Sequence, residues 1–415
     1  MFAIYFAALV VGMAQDFVGS NNINLLVPSG QFGTRLTGGD DAASPRYIFT
    51  YLSPIARHLF PEVDDMLLTH REDDGHVIEP YFYCPIIPLL LVNGSEGIGT
   101  GWSTYIPPHN PHDVLAYVRA KLDDSVDLPE IRPWVRGFDG SLTLLEKGRG
   151  YLSVGKVEPQ SRKTVLISEL PVGRWTNDYK AHLLKMREKG EIQSFVDNHT
   201  TTKVSFTVSL KGVKLDRMMK SASGLHKAFK LQSNLLTTNM HAFGADKTIL
   251  KFDSASSIAD HYFPVRLALY HDRKSVLESE MNHAAVVLRN KARFIEAVSS
   301  GQIDLIGGKR SKEETVGILR ELGFASAAEL QEIKNTNVLA ERLKVEDETD
   351  SNTLSQKGPG DYDYLLNMPL SSLTSDKIND LHSEASKTEN DLSDIRKKSP
   401  KDLWQMDLDK LEPHL

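Results

Sequence analysis

From Leu267 onward, apolar residues return at alternating intervals of three and four. Positions 267, 270, 274, 277, 281, 284, 288, 291, 295 and 298 hold Leu, Tyr, Lys, Leu, Met, Ala, Leu, Lys, Ile and Val. That spacing keeps one apolar seam on one face of a helix. A second seam at 378, 381, 385, 388, 392 and 395 holds Ile, Leu, Ala, Thr, Leu and Ile. Two such seams predict an antiparallel coiled-coil pair, and the polar stretch "KVEDETDSNTLSQKGPGD" between them predicts a mobile connection. Packing alone accounts for seams of this kind, which hold subunits together more often than they hold chemistry.

Upstream, the pattern changes. "PHDVLAYVRAKL" has a helical period, whereas "YLSVGKVE", "KTVLISELP" and "KVSFTVSL" read as strands, the last alternating at period two. Gly148 and Gly150 in "KGRGYLSVG" mark a hairpin turn, and Pro264 is expected to open the long helix. Residues 12–103 mix short apolar runs with the turn words "GSNN", "PSGQFG", "TGGDD" and "NGSEGIGTG", which predicts a loop-rich domain with short helices. The fold class is therefore α+β and multidomain, with boundaries expected near 103 and 262. The opening "MFAIYFAALVV" has no preceding Lys or Arg and no small-residue cleavage site after it, and it is too short to span a bilayer. It is expected to be a core helix of a domain whose beginning lies outside the chain, with no membrane partner.

Composition narrows the function. The single cysteine, Cys84, excludes an internal disulfide and provides no zinc site. The net charge is −7, and residues 1–110 carry eleven acids against four arginines: Arg35, Arg46, Arg57 and Arg71. A broad basic face is excluded there. Any phosphate site must be local, made from a few arginines and backbone N–H groups.

The chemistry gathers in "QFGTRLTGGDDAASPRYIF", residues 31–49, where an arginine sits beside a tyrosine. Ser44 and Pro45 suit an N-cap and first helical position, which would put Arg46 and Tyr47 in a first turn. Ile48, Leu52, Ile55 and Leu59 would then be the buried stripe, with Pro54 kinking or restarting the helix. A helix N-terminus and a guanidinium both favour phosphate. A phenol needs such help to act as a nucleophile, because its ordinary pKa is near 10. The arrangement suits a tyrosine that attacks a phosphodiester. Since the chain has 13 tyrosines, most of them structural, the pair alone is a weak signal.

The surrounding words are more specific. "AQDFVGSNNINLLVPSGQFGTRLTGGDDAASPRYIF" closely resembles the breakage-reunion region of eukaryotic type IIA DNA topoisomerases. The likeness continues in order through "PIIPLLLVNGSEGIGTGWS", "ISELPVGRWTNDY", "FKLQSNLLTTNMHAF", "YFPVRLALY" and "SPKDLW". The resemblance implies a partial winged-helix domain at 1–103, an α/β tower domain at 104–262, and a coiled coil ending in a C-gate dimer contact at 263–415. It implies that Tyr47 attacks one strand of double-stranded DNA and becomes joined to its 5′ phosphate, with Arg46 stabilising the transition state. Ile98 in "EGIGTGW" would wedge into a base step. Gln31 and Arg35 would contact backbone near the cut, as would Lys230, Gln232, Thr237, Thr238 and Asn239 farther along the duplex. The family works as a homodimer, in the nucleus and in some lineages in mitochondria.

Departures matter as much. The ATPase and TOPRIM parts that use ATP and Mg2+ have no counterpart words here, so neither cofactor is expected to be bound by residues of this chain. They would come from a missing N-terminal part. Asp40 stands where relatives commonly carry lysine, and Ala42 where a serine is usual. Two functions stay open: the DNA-cleaving half of the enzyme, or a non-catalytic DNA-binding and dimerisation remnant. A bare coiled-coil scaffold would ignore the motifs.

Overall fold

The computed structural model describes residues 2–145, 148–211, 215, 218–219, 224–303, 311–334, 361–369 and 374–415. They fall into two compact units. The first comprises Met1–Glu62, Tyr83–Arg266 and Gln405–Leu415, and the second Val63–Phe82 and Leu267–Trp404.

The first unit begins with helix α1 (Phe2–Ala14), which buries Ala14 but leaves Phe6, Leu9 and Met13 exposed, so it is less of a core helix than its composition suggests. Strand β1 (Leu26–Ser29) pairs antiparallel with β2 (Phe49–Leu52), in register from Leu26↔Leu52 to Ser29↔Phe49. This overturns the helix expected from Ser44 up to Pro54, whereas the restart allowed at Pro54 is what the chain does. Pro45–Tyr47 is one 3-10 turn, Phe49–Leu52 is extended, and helix α2 (Pro54–Leu59) starts afresh at Pro54. The β-branched and aromatic run "YIFTY" prefers a pleated ladder to a helix, and Pro54 separates it from the next element.

In the second unit, β3 (His70–Asp73) and β4 (His76–Pro80) form a hairpin. Returning to the first unit, helix α3 (Leu89–Asn93) leads into the hairpin of β5 (Ser95–Gly99) and β6 (Trp102–Ile106). Helix α4 (Pro111–Leu122) matches its predicted span, capped by the Asn110 side chain, which accepts from His112 N–H. Two antiparallel sheets come next along the chain. One orders β13–β8–β7, from Gln232–Leu236, Gly150–Val154 and Ser141–Leu144. The other orders β11–β12–β10–β9, from Ser194–Asp197, Phe206–Ser209, Thr164–Glu169 and Lys156–Pro159.

Helix α5 (Thr176–Glu188) packs on the second sheet through Tyr179, Leu183 and Met186, one helical face at spacings of four and three. These side chains bury against Val165, Ile167, Phe206 and Val208, the inward positions of alternating strands. The short helix α6 (Gly224–Ala228) precedes β13, and β14 (Met240–Phe243) pairs with β15 (Ile249–Phe252).

Helix α7 (Ala255–Ser299) starts nine residues before Pro264, the residue expected to open it. Ser254 and Ser257 cap the true start reciprocally, each side-chain oxygen accepting from the other's backbone N–H. Within the second unit lie α8 (Lys312–Glu321), α9 (Ala327–Lys334), α10 (Asp363–Leu366) and α11 (Ser375–Lys397). The two sequence seams meet there: Leu288, Ala292 and Ile295 of α7 pack with Ile378 and Leu381 of α11. Lys274 reaches the Arg396 carbonyl, Arg289 pairs with Glu389, and Glu296 meets His382. Numbers rise along one helix as they fall along the other, so the pair is antiparallel. The connection expected to be mobile lies outside the described residues, except for Asp361. Tyr270 stacks on Trp404 at 5.3 Å within the same unit. Helix α12 (Pro400–Leu411) is the last long element of the chain. Among the described residues, no helix is long and apolar enough to cross a membrane.

Candidate nucleic-acid interface

The loop before Tyr47 is folded tightly on itself. Gly33 has φ +100, and a Cβ there would stand 2.6 Å from the Gly39 Cα. A Cβ on Gly38, φ +73, would stand 2.2 Å from the Trp175 ring. Only glycine fits either place. Asp41 knots the loop from inside: its carboxylate accepts from Thr34 N–H at 2.8 Å, from the Thr34 and Thr37 hydroxyls at 2.6 Å, and from the Gln31 amide at 3.3 Å. Burial alone would raise this carboxyl's pKa, but the hydrogen bonds from Thr34 and Thr37 outweigh it and hold the group below the usual carboxylate range. The organising acid is thus Asp41, while the Asp40 that stood out in the sequence is exposed.

Arg35 is the clearest correction. It is 5% exposed, and both ends of its guanidinium meet the Glu169 carboxylate. The same carboxylate accepts from the backbone N–H of Leu170 at 2.8 Å and of Asp139 at 3.1 Å. A guanidinium so enclosed cannot reach a phosphate. Its task is to pin the loop to the end of β10. The loop also caps a helix, because Thr176 and Asn177 N–H donate to the carbonyls of Arg35 and Leu36.

Beyond the knot the chain turns outward. Ala43 N–H donates to the Gln31 carbonyl at 2.9 Å, closing the loop, and Tyr47 N–H donates to Ser44 O at 2.9 Å. Ser44 makes no side-chain cap, and a three-residue turn has no helix dipole to offer an anion. The cation beside the phenol is Arg46, its guanidinium carbon 5.0 Å from the centre of the Tyr47 ring. Tyr47 is 68% exposed, and no described residue hydrogen-bonds its hydroxyl. Phe49 and Tyr51 are exposed too, as the period-two alternation of β2 requires.

Ile98 is 93% exposed on β5, opposite Ser103 and one residue before the end of its strand. Its hairpin is braced from the other strand. Asn239 Nδ2 donates to Ser103 Oγ at 2.7 Å, Tyr105 N–H to Asn239 O at 2.9 Å, and Thr104 Oγ1 to His241 O at 2.7 Å. Trp102 meets the His241 ring edge-on at 5.5 Å. The structure therefore joins two words that lie far apart in the sequence, "EGIGTGWS" and "QSNLLTTNMHAF". Beneath them lies an open cleft of about 810 Å3, lined by residues including Asn93, Glu96, Trp175, Asn234 and Thr238. At its wall the Tyr105 hydroxyl is pushed up to about 12, by burial first and then by the Glu96 charge. Among the other candidates, Thr238 and Lys230 are exposed, Gln232 and Thr237 are half-buried, and Lys230 adopts φ +51.

Sequence reasoning missed Asp41, Glu169, Trp175 and Ser103. Their words were quoted, but nothing in their spacing singled out these members.

The chain matches the family model described as DNA gyrase/topoisomerase IV, of the A-type subunit, over residues 3–411. It belongs to this family. It is 41% identical to DNA topoisomerase 2 of Arabidopsis thaliana over 99% of its own length and 28% of that protein's. Against DNA topoisomerase 2-beta of Homo sapiens it is 40% identical, over 96% of this chain and 25% of the relative. In three dimensions it resembles the Plasmodium falciparum topoisomerase II DNA-binding, cleavage and re-ligation domain. The TM-score is 0.84 and the identity 35%, across 98% of this chain and 54% of that one. The chain thus spans about a quarter of the length of the curated relatives it matches.

The family implies magnesium. Among the described residues no three His, Cys, Asp or Glu side chains converge as metal ligands, and the Asp41 oxygens are already taken by Thr34, Thr37 and Gln31. The described residues do not fit a magnesium ion.

Proposed function

We propose that this chain is the DNA-cleaving portion of a type II topoisomerase, with Tyr47 as its nucleophile. The phenol oxygen attacks a backbone phosphorus, an O–P bond forms, and the bond from phosphorus to the 3′ oxygen breaks. The phenol proton leaves to solvent, and the 3′ oxygen takes up a proton in turn. The 5′ phosphate stays on the protein as an ester, so resealing reverses the exchange without an external energy source. Arg46 stabilises charge on the phosphoryl oxygens as the transition state forms. The observation that carries this reading is the exposed Tyr47 phenol, free of hydrogen bonds among the described residues and set beside Arg46 at the exit of a loop fixed by Asp41.

Ile98 is the wedge, because an apolar side chain standing free on a braced hairpin can unstack a base step and kink the duplex. Gln31, Lys230, Gln232, Thr237, Thr238 and Asn239 serve as polar or cationic backbone contacts that position the duplex rather than read it. Arg35 acts only through the loop it holds. Residues 1–103 correspond to the winged-helix part, 104–262 to the tower, and 263–415 to the coiled coil and C-gate that join two copies. ATP and Mg2+ enter through the parts of longer relatives that this chain does not span, and the working place is the nucleus.

The test is complementation. The chain is mixed with the ATPase and TOPRIM portion of the Arabidopsis relative, supercoiled plasmid, ATP and Mg2+. Relaxation that requires both pieces and disappears with Tyr47→Phe supports the reading. Plasmid binding without relaxation in any mixture supports a non-catalytic remnant instead.

A further inference from the structure

Tyr179 is fully buried on α5, with two basic side chains beside its ring. The Arg174 guanidinium carbon lies 5.9 Å from the ring centre, and the His182 ring centre lies 5.8 Å from it. The phenol hydroxyl donates to the Phe229 carbonyl at 2.9 Å, which fixes the next residue, Lys230, beside the helix. Lys185 lies three positions beyond His182 and so shares its face.

None of Arg174, His182, Lys185 and Lys230 has a side-chain hydrogen bond or ion pair with any described residue, and Arg174 Nε and His182 Nε2 are buried without a partner. Elsewhere buried Arg35 and Arg273 meet the carboxylates of Glu169 and Asp64, and buried Arg266 donates to the Cys84 carbonyl at 2.8 Å. Here the charges that repel a proton on His182 are Lys230, Arg174 and Lys185, and the acid acting against them is Glu191. Burial comes first and these cations second, and together they lower the His182 pKa. A chain of net charge −7 keeps Arg174, Lys185 and Lys230 near His182 against one acid, Glu191, an excess of positive charge that a polyanion relieves.

We propose that Arg174, Lys185 and Lys230 form a phosphate-backbone clamp for duplex DNA beside the buried His182 ring, separate from the Tyr47 loop. This rests on the reading of the chain as DNA-acting and adds two residues, Arg174 and Lys185, to those the sequence nominated.

The test measures binding of the full chain to a short fluorescein-labelled duplex by anisotropy across a KCl series. Each phosphate contact adds about 0.9 to the steepness of log K against log salt. The double variant Lys185→Gln/Lys230→Gln, at two exposed positions, is expected to flatten the slope by about 2. Adding Arg174→Gln should flatten it by about 1 more, equally for unrelated duplex sequences. A double variant with unchanged melting temperature and the wild-type slope would overturn the clamp. Tyr47→Phe should keep the full slope, so loss of cleavage and loss of the clamp are read separately. A wild-type chain that binds no duplex removes both this inference and the reading beneath it.

Discussion

Asn239 donates its amide N–H to the Ser103 hydroxyl at 2.7 Å, joining the strand that comes after Ile98 to a segment more than a hundred residues later. Together with the Thr104–His241 and Tyr105–Asn239 bonds, it makes the Ile98 hairpin a braced prong rather than a loose loop. For the wedge role proposed for Ile98, resistance to deflection is required, and the brace supplies that stiffness.

Ile98→Ala should therefore separate bending from folding. The side chain is almost fully exposed, so stability should change by less than about 0.5 kcal/mol. Duplex bending, read as the end-to-end distance by energy transfer between terminal dyes, should largely disappear. Asn239→Ala should weaken bending in the same direction at a stability cost of about 1 kcal/mol, as for one ordinary hydrogen bond.

The Arg35–Glu169 pair predicts a different outcome. Removing one partner leaves a buried charge uncompensated, so Glu169→Ala should lower unfolding free energy by about 3–5 kcal/mol in urea titration. Because the pair anchors the loop that ends at Tyr47, the same change should also reduce cleavage. A change at a free phosphate-binding arginine would leave stability nearly untouched.

His109 sets an acid limit. It is 2% exposed, and burial lowers its pKa to about 4, against a raising contribution from the Leu91 carbonyl that its Nδ1–H meets at 3.0 Å. Its folded value lies below the unfolded value near 6.5, so the unfolded chain binds more protons between those limits. Stability from this group is complete above pH 6.5 and falls by about 3 kcal/mol as pH drops to 4. His109→Gln, retaining a hydrogen-bond donor, should flatten that part of the stability profile measured by denaturant titration.

How much of this was legible in the sequence depends on the range of the interaction. Helix α4 and strands β10 and β12 are set by local period and caps and stand where the pattern put them, whereas "YLSVGKVE" divides between two sheets and β11 carried no signal that was read. The paired seams at 267–298 and 378–395 also met as their spacing demanded. The 45–59 segment failed because Pro45 and Ser44 imitate a helix start, while the strand that claims Phe49–Leu52 lies more than twenty residues upstream. Pro264 misled in the same way: it satisfies a first-turn rule, but two serines well upstream had already capped the helix.

Among the proposed site residues, the sequence and the structure agree where the side chain is exposed. Tyr47, Arg46 and Ile98 were nominated from their words, and all three are exposed. Arg35 was misjudged because sequence gives an arginine's charge without its partner, and Glu169 is 134 residues away. Arg174, His182 and Lys185 went unnoticed for the complementary reason. Their lack of partners is a property of the folded chain, and single basic residues look alike in sequence.

The most direct measurement is the chemistry of the trapped intermediate. The complemented enzyme is stopped with detergent during cleavage, the DNA is digested to a nucleotide stub, and the protein is mapped by mass spectrometry. The mass of a 5′-phosphonucleotide should sit on the peptide containing Tyr47 and vanish in Tyr47→Phe, while Arg46→Lys should lower its yield with the attachment point unchanged. A stub carried by any other tyrosine, or one that persists in Tyr47→Phe, would contradict the account.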